Sequence, residues 1–168
     1  EIHFIHNKWM NDIDYNYIGY AQTINEQAGI ALGLLYFDYG SFIGYDSLGN
    51  KIADPKARDR AFTFTSSLVL SPQIVSGATI KYINENYDVY KAEAIAFDAG
   101  IIIKTKIEEL KIGAIIQNAG AKIKFVKEEF KLPLTYKIGA AYSYLDDFVI
   151  AGIDISKTIY SNINFNIG

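Results

Sequence analysis

The chain has 168 residues, which is long enough for one domain with a hydrophobic core. Half of the residues are hydrophobic and 14% are aromatic, and the formal net charge of −3 gives no electrostatic reason to expect a nucleic-acid partner. The absence of cysteine excludes disulfides, thiol catalysis and cysteine metal sites. The sequence has no run of about 20 apolar residues, so it does not predict a membrane-spanning helix.

Helical periodicity is absent, and segments of roughly ten residues alternate instead between apolar and small or polar side chains. These segments predict ten strands, at about 2–10, 15–24, 28–38, 60–70, 74–84, 89–104, 109–118, 134–144, 148–156 and 159–167. We therefore expect one all-β domain over residues 1–168, in which consecutive strands pair as an antiparallel up-and-down sheet.

The alternation gives the predicted sheet two unlike faces, most clearly around residue 98. Ile95, Phe97 and Ile101 fall on one face, and Asp98 and Gly100 fall on the other. A soluble sheet packs its apolar face on a core, whereas a membrane barrel turns that face to lipid and its polar face to a lumen. The local pattern leaves both arrangements open.

The lengths of the connections favour the membrane arrangement. The two long connections, 39–58 and 119–133, fall on the same side of the ten-strand sheet, and the other side has the short turns 25–27, 71–73, 106–109 and 145–147. Outer-membrane barrels have this asymmetry, and they place aromatic residues near strand ends, as tyrosines are placed here. We expect a transmembrane β-barrel that is incomplete in this chain.

The small-or-polar face carries the residues that could contact a ligand in a lumen. Asp98 is central on its strand and could pair with Lys81 or Lys111, although the simpler interpretation is a structural charge that fixes the register. The full set of weak lumen candidates is Lys81, Asp98, Lys111, Gln117, Lys137 and Asp154.

Catalytic and metal-binding patterns are missing, so we expect neither an enzyme nor a cofactor. His3 and His6 fall on opposite faces of a strand, which argues against a shared metal. No Ser-His-Asp set, carboxylate pair or phosphate-binding loop stands out. Trp9 is interpreted as a membrane-interface anchor. Residues 118–120 are interpreted as a strand exit and turn.

Four motifs occur in order: GATIKYI (77–83), AIAFDAGIIIKT (94–105), KIGAIIQNAG (111–120) and LPLTYKIGAAYSY (132–144). Together with the His6-x-x-Trp9 pattern, this ordered set resembles FadL-like bacterial outer-membrane barrels of the PorV/PorQ type, over nearly the whole chain. The resemblance implies a place in the bacterial outer membrane, contact with membrane lipids, and either transport of hydrophobic compounds or a role with secretion-system proteins.

The resemblance also implies a barrel of about fourteen strands with an N-terminal plug. The sequence supplies about ten strands and no plug segment, so we expect a fragment that lacks the N-terminal plug and the terminal strands. The alternative function is a soluble all-β binding module, either a sandwich or a lipocalin-like barrel, whose apolar faces form a core or a pocket.

Overall fold

The computed structural model describes residues 1–9, 12–51, 53–125, 128–145 and 148–168. Most of these residues lie in β-strands and none lies in an α-helix, so the predicted all-β class is confirmed. The strands are β1 (Ile2–Lys8), β2 (Asp14–Asn25), β3 (Ala28–Ser41), β4 (Lys56–Ser71), β5 (Ile74–Tyr87), β6 (Tyr90–Lys104), β7 (Leu110–Gly120), β8 (Ile123–Phe125), β9 (Glu128–Phe130), β10 (Thr135–Tyr144), β11 (Val149–Thr158) and β12 (Ile163–Ile167). Nowhere in these described ranges is there a helix both long and apolar enough to cross a membrane.

Ten strands form one sheet in the order β1-β2-β3-β4-β5-β6-β7-β10-β11-β12, and every neighbouring pair is antiparallel. Each predicted segment overlaps one of these strands, which confirms the up-and-down topology. The last strand is shorter than predicted, because residues 159–162 form the turn before β12. The first prediction ran on to Met10, which lies outside the described residues. The sheet is open, with β1 and β12 as its edges.

Strands β3, β4 and β5 are longer than predicted, with 14, 16 and 14 residues, whereas β6 has nearly its predicted bounds. The predicted long loop 39–58 is correspondingly shorter, and the basic residues from Lys56 to Arg60 begin β4 rather than lie in a loop. The strands continue because Asp38 pairs with Arg58 in the ladder and their side chains bond at 2.9 Å. The alternation of apolar residues ends there, because polar residues take the positions on the face that carries Leu32 and Phe62 farther along the strands.

The connections segregate by length as predicted. The two longest, 42–55 and 121–134, lie at one end of the sheet, which we call the loop end. The connections 26–27, 72–73, 105–109 and 145–148 lie at the opposite, turn end. In the last of these, Asp146 and Asp147 lie outside the described residues.

The weak alternation of residues 122–129 predicts an extension of the neighbouring strands beyond the membrane, but the described residues of this segment continue neither β7 nor β10. This segment contributes β8 and β9, a separate two-stranded hairpin whose described pairs run from Ile123 opposite Phe130 to Phe125 opposite Glu128; residues 126 and 127 are outside the described part. Ile123 packs on Ala92, Ala94 and Ala96 of β6, so the hairpin folds back over the sheet. A non-local contact of this kind leaves no period in the sequence.

The registers separate the side chains into two faces as the alternation predicts. The polar face carries the row Gly33, Thr63, Lys81 and Ala96, and the apolar face carries the rows on either side of it. Nine large side chains in the middle of the apolar face are 39–55% exposed: Leu32, Phe62, Phe64, Ile80, Tyr82, Ile95, Phe97, Ile138 and Ile153.

The total accessible surface shows how little of the sheet is covered. It is 12185 Å², whereas a compact folded monomer of 18.8 kDa exposes about 8,300 Å². The buried hydrophobic residues of the described part are Ala57, Ala92, Ala94, Ala96, Ile123 and Leu132. Within the described chain, therefore, the apolar face has no protein layer packed on it.

Candidate functional site

All six predicted lumen residues lie on the polar face. Cross-strand pairing sets Lys137 between Ile115 and Ser156, and it sets Gly139 between Gly113 and Asp154. Asp98, Lys111, Lys137 and Asp154 line one concave pocket of about 760 Å³, together with Gly77, Gly100, Gly113, Gly139 and Gly152. Lys81 and Gln117 share the face but lie outside this lining.

The five glycines place no side chains in the pocket, and at two of them a Cβ would be crowded by the neighbouring strand. A Cβ at Gly139 would lie 2.9 Å from the carbonyl oxygen of Ile153 and 3.0 Å from the Cβ of Asp154. A Cβ at Gly100 would lie 3.3 Å from the carbonyl oxygen of Ala114. The polar face is therefore concave and backbone-lined between its charged side chains.

Asp98 pairs with Lys81, one of the two partners that the sequence analysis proposed for it. The Lys81 ammonium lies 2.7 Å from Oδ1 and 2.9 Å from Oδ2 of Asp98. The two side chains are only 16% and 12% exposed. Removing them from water has a large cost, so the pair is stable only when its remaining bonds are satisfied.

Asn118 supplies those bonds, a role that was not predicted from the sequence. Its backbone N–H donates to Asp98 Oδ1 at 2.8 Å, and its Oδ1 accepts a bond from Lys81. Asn118 has a φ of +60° at a β-bulge where the pairing with β6 shifts between Phe97 and Ala99. Asparagine tolerates this left-handed conformation better than most residues.

The prediction of a strand exit at residues 118–120 is therefore wrong, since β7 continues to Gly120. A signal was present in the sequence: the alternation that runs from Leu110 to Gln117 breaks at Asn118, as it does at a bulge. The resulting cluster joins β5, β6 and β7 through one lysine, one carboxylate and one amide. This geometry supports the structural interpretation of Asp98.

The remaining charges of the polar face are more accessible. Asp154 accepts a bond from Asn166 Nδ2 at 2.8 Å. Lys111 and Lys137 are exposed and make no ion pair or side-chain hydrogen bond within the described part of the chain. These two lysines are the polar-face cations that a solute in the pocket would meet.

A second group on the polar face lies toward the loop end and was not predicted. Tyr15, Phe37, Tyr39 and Tyr87 form a ladder with ring centroids 6.2, 4.6 and 6.0 Å apart. The Tyr39 hydroxyl donates to Asp59 at 2.6 Å. Phe37 and Tyr39 are two residues apart on β3, and that spacing is the sequence signal for a shared face.

His3 and His6 lie on opposite faces of β1, as their spacing predicts. His3 is opposite Gly19 on the polar face, and His6 is opposite Asn16 on the apolar face. The His6 ring contacts Asn16 Oδ1 at 2.8 Å. The two rings are therefore not ligands of a common metal.

Comparison of the chain with protein-family models and with curated proteins gives no match.

Proposed function

We propose that this chain forms the wall of a bacterial outer-membrane β-barrel that transports hydrophobic compounds or serves protein secretion, without catalysis. The observation that carries the proposal is the uncovered apolar face. Its exposed side chains continue from β1 to β12, far beyond the few hundred Å² of apolar patch that soluble monomers usually expose. Lipid is the environment in which such a face is favourable.

The extent of the apolar face suits a bilayer. On β6 its side chains run from Ile95 to Ile103, which corresponds to roughly 26 Å along the strand. Outer-membrane barrels have an apolar band about 25 Å tall. Toward the loop end the next row is polar and contains Tyr36, Arg60, Asn84 and Glu93.

Residues at this boundary resemble those of a membrane interface. Tyr82 belongs to the last apolar row, and the guanidinium of Arg60 lies 5.7 Å from the centre of the Tyr36 ring. Aromatic rings and basic side chains are favourable at the level of lipid headgroups. The loop end would then face outward, because external loops of such barrels are the longer ones.

The polar face provides the contact surface for a solute. Its pocket is lined by the charged residues Lys111, Lys137, Asp98 and Asp154 and by the apolar residues Val75, Ile102 and Ile115, so apolar groups lie beside charges of both signs. That mixture suits a hydrophobic compound or an extended polypeptide. The resemblance to FadL-like barrels supports the same two roles.

The second candidate is a soluble all-β binding module. It is favoured by an apolar groove of about 630 Å³ on the opposite face, lined by Ile18, Leu32, Phe62, Phe64 and Ile80 among others. In this function the groove binds an apolar ligand directly. It would leave the rest of the apolar face in water, which is why we prefer the barrel.

The test is membrane partitioning and heat-modifiable migration of the full-length natural protein. A barrel should fractionate with the outer membrane and migrate faster in a gel before boiling than after it. A protein that is soluble, monomeric and folded in buffer without detergent would contradict the barrel and support the binding module.

A further inference from the structure

Three alanines lie next to one another on the polar face of β6. Ala92, Ala94 and Ala96 are 3%, 7% and 0% exposed, although most of the sheet is open. Ile123 and Leu132, at 8% and 7%, bury them, and both belong to the connection between β7 and β10. Small side chains let that connection approach the sheet closely.

The backbone is crowded at Gly120, the last residue of β7 before this connection. A Cβ at Gly120 would overlap the carbonyl oxygen of Ile95 and would lie 3.0 Å from the Cα of Ala96. Only glycine fits there without a shift of the backbone. The connection therefore starts from a point at which β7 is in close contact with β6.

The returning part of the connection is held by four hydrogen bonds. The Pro133 carbonyl accepts from Asn118 Nδ2 at 3.2 Å and from the Thr135 hydroxyl at 2.9 Å. The Leu134 carbonyl accepts from the Ile159 N–H at 3.0 Å, and the Lys131 carbonyl accepts from the Tyr160 hydroxyl at 3.0 Å. These bonds fix Leu132 against the sheet from both sides.

We propose that the described parts of the connection between β7 and β10, residues 121–125 and 128–134, form an inward-folded loop that narrows the lumen at its loop end and limits the size of what passes. The inference rests on the proposed function, in which the polar face lines the lumen. A segment packed on that face lies inside the wall, not above the rim. It is anchored through Asn118 to the same cluster that holds Lys81 and Asp98.

Labelling of single cysteines tests the packing, because the natural chain has no cysteine to interfere. Ala94→Cys lies beneath the loop, whereas Ile102→Cys lies on the same face of the same strand and is 49% exposed. In the folded full-length protein, a membrane-impermeant maleimide should label Ala94→Cys at least about tenfold more slowly than Ile102→Cys. Equal labelling rates would overturn the inference.

Releasing the loop should remove that protection. The double substitution Ile123→Ser with Leu132→Ser takes away both side chains that cover the alanines. Phe130→Ser is the matched control, since Phe130 belongs to the same hairpin but is 49% exposed. Ala94→Cys should label quickly in the double variant and slowly in the control.

Conductance tests the effect on passage. In planar bilayers with potassium chloride, the double variant should conduct about twofold more than the natural protein, and Phe130→Ser should not. Insertion with the same conductance in all three proteins overturns the inference alone. Failure of the natural protein to insert or to partition into membranes overturns the proposed function itself.

Discussion

Lys81, Asp98 and Asn118 supply one another's hydrogen bonds where little water reaches. The contribution of each side chain to stability therefore depends on the other two. Because Asp98 takes bonds from Lys81 and from the Asn118 backbone, loss of the lysine leaves a carboxylate with one remaining donor. Loss of both charged side chains leaves no uncompensated charge. Because losing one charge costs more than losing both would suggest, the effects of substituting Lys81 and Asp98 on stability should be coupled.

We predict that Lys81→Met lowers the free energy of unfolding by about 3 kcal/mol and that Lys81→Met with Asp98→Leu costs clearly less than the sum of the single substitutions. Urea unfolding of the full-length protein in lipid vesicles measures this. Lys137→Met is the control, because Lys137 is exposed and has no ion pair in the described chain, and it should change stability by less than about 0.5 kcal/mol. Strict additivity would show that the pair contributes nothing as a pair.

Ile101 and Ile102 are adjacent in sequence and face opposite sides of β6, so in the proposed barrel Ile101 would contact lipid and Ile102 would face the lumen. In that barrel Ile101→Arg should destabilise the folded protein by about 2–4 kcal/mol, since it would place a cation near the middle of the bilayer. Ile102→Arg should cost much less, because its position opens on the pocket of the polar face. The same urea titration compares them, and a greater cost for Ile102→Arg would mean that the two faces are assigned the wrong way round.

At the scale of the element, strands and faces were predictable because a period of two survives in almost every strand. The predicted strand ends and the predicted role of residues 122–129 were wrong, because the period of two does not report on them. The ends of β3, β4 and β5 continue through rows such as Asp38 and Arg58, which carry polar residues on the otherwise apolar face and therefore look like loop. The hairpin of β8 and β9 depends on contacts with β6, and such contacts between distant segments have no local signature.

The candidate site was predictable to a similar degree. Alternation placed all six lumen residues on one face, and it offered Lys81 as a partner for Asp98. It could not choose between Lys81 and Lys111, because that choice depends on the register of β5, β6 and β7. The bulge at Asn118 shifts this register, and one residue of shift decides which side chains meet.

The bulge gives a prediction for Asn118. Asn118→Gly keeps the left-handed backbone and loses the side-chain bonds, whereas Asn118→Val also forces a β-branched residue to a φ of +60°. We expect the valine variant to be less stable than the glycine variant by about 1–2 kcal/mol, measured by the same unfolding titration. Equal stabilities would show that the backbone strain at this position is unimportant.

At the scale of the whole molecule, two features favour association with other chains: the free edges at β1 and β12, and the uncovered apolar face. Unpaired edge strands invite pairing with other chains, and an exposed apolar face adds to this tendency. Residues 1–168 produced alone should therefore aggregate in buffer, and in detergent micelles they should give a circular dichroism spectrum of β-sheet. A monodisperse folded monomer in buffer by size-exclusion chromatography, or a substantial helical signal, would contradict this expectation.

The up-and-down order of the sheet also has a kinetic consequence. Each strand pairs with the strand that precedes it in sequence, apart from β7 and β10, which the hairpin of β8 and β9 separates. Contact order is therefore low, and each pairing closes only a short stretch of chain at a small entropic cost. Assembly can proceed one hairpin at a time, with every new strand added to the edge left by the last. If the sheet closes into the proposed barrel, the slow step is the pairing of the first and last strands of that barrel, because this contact spans the longest stretch of sequence.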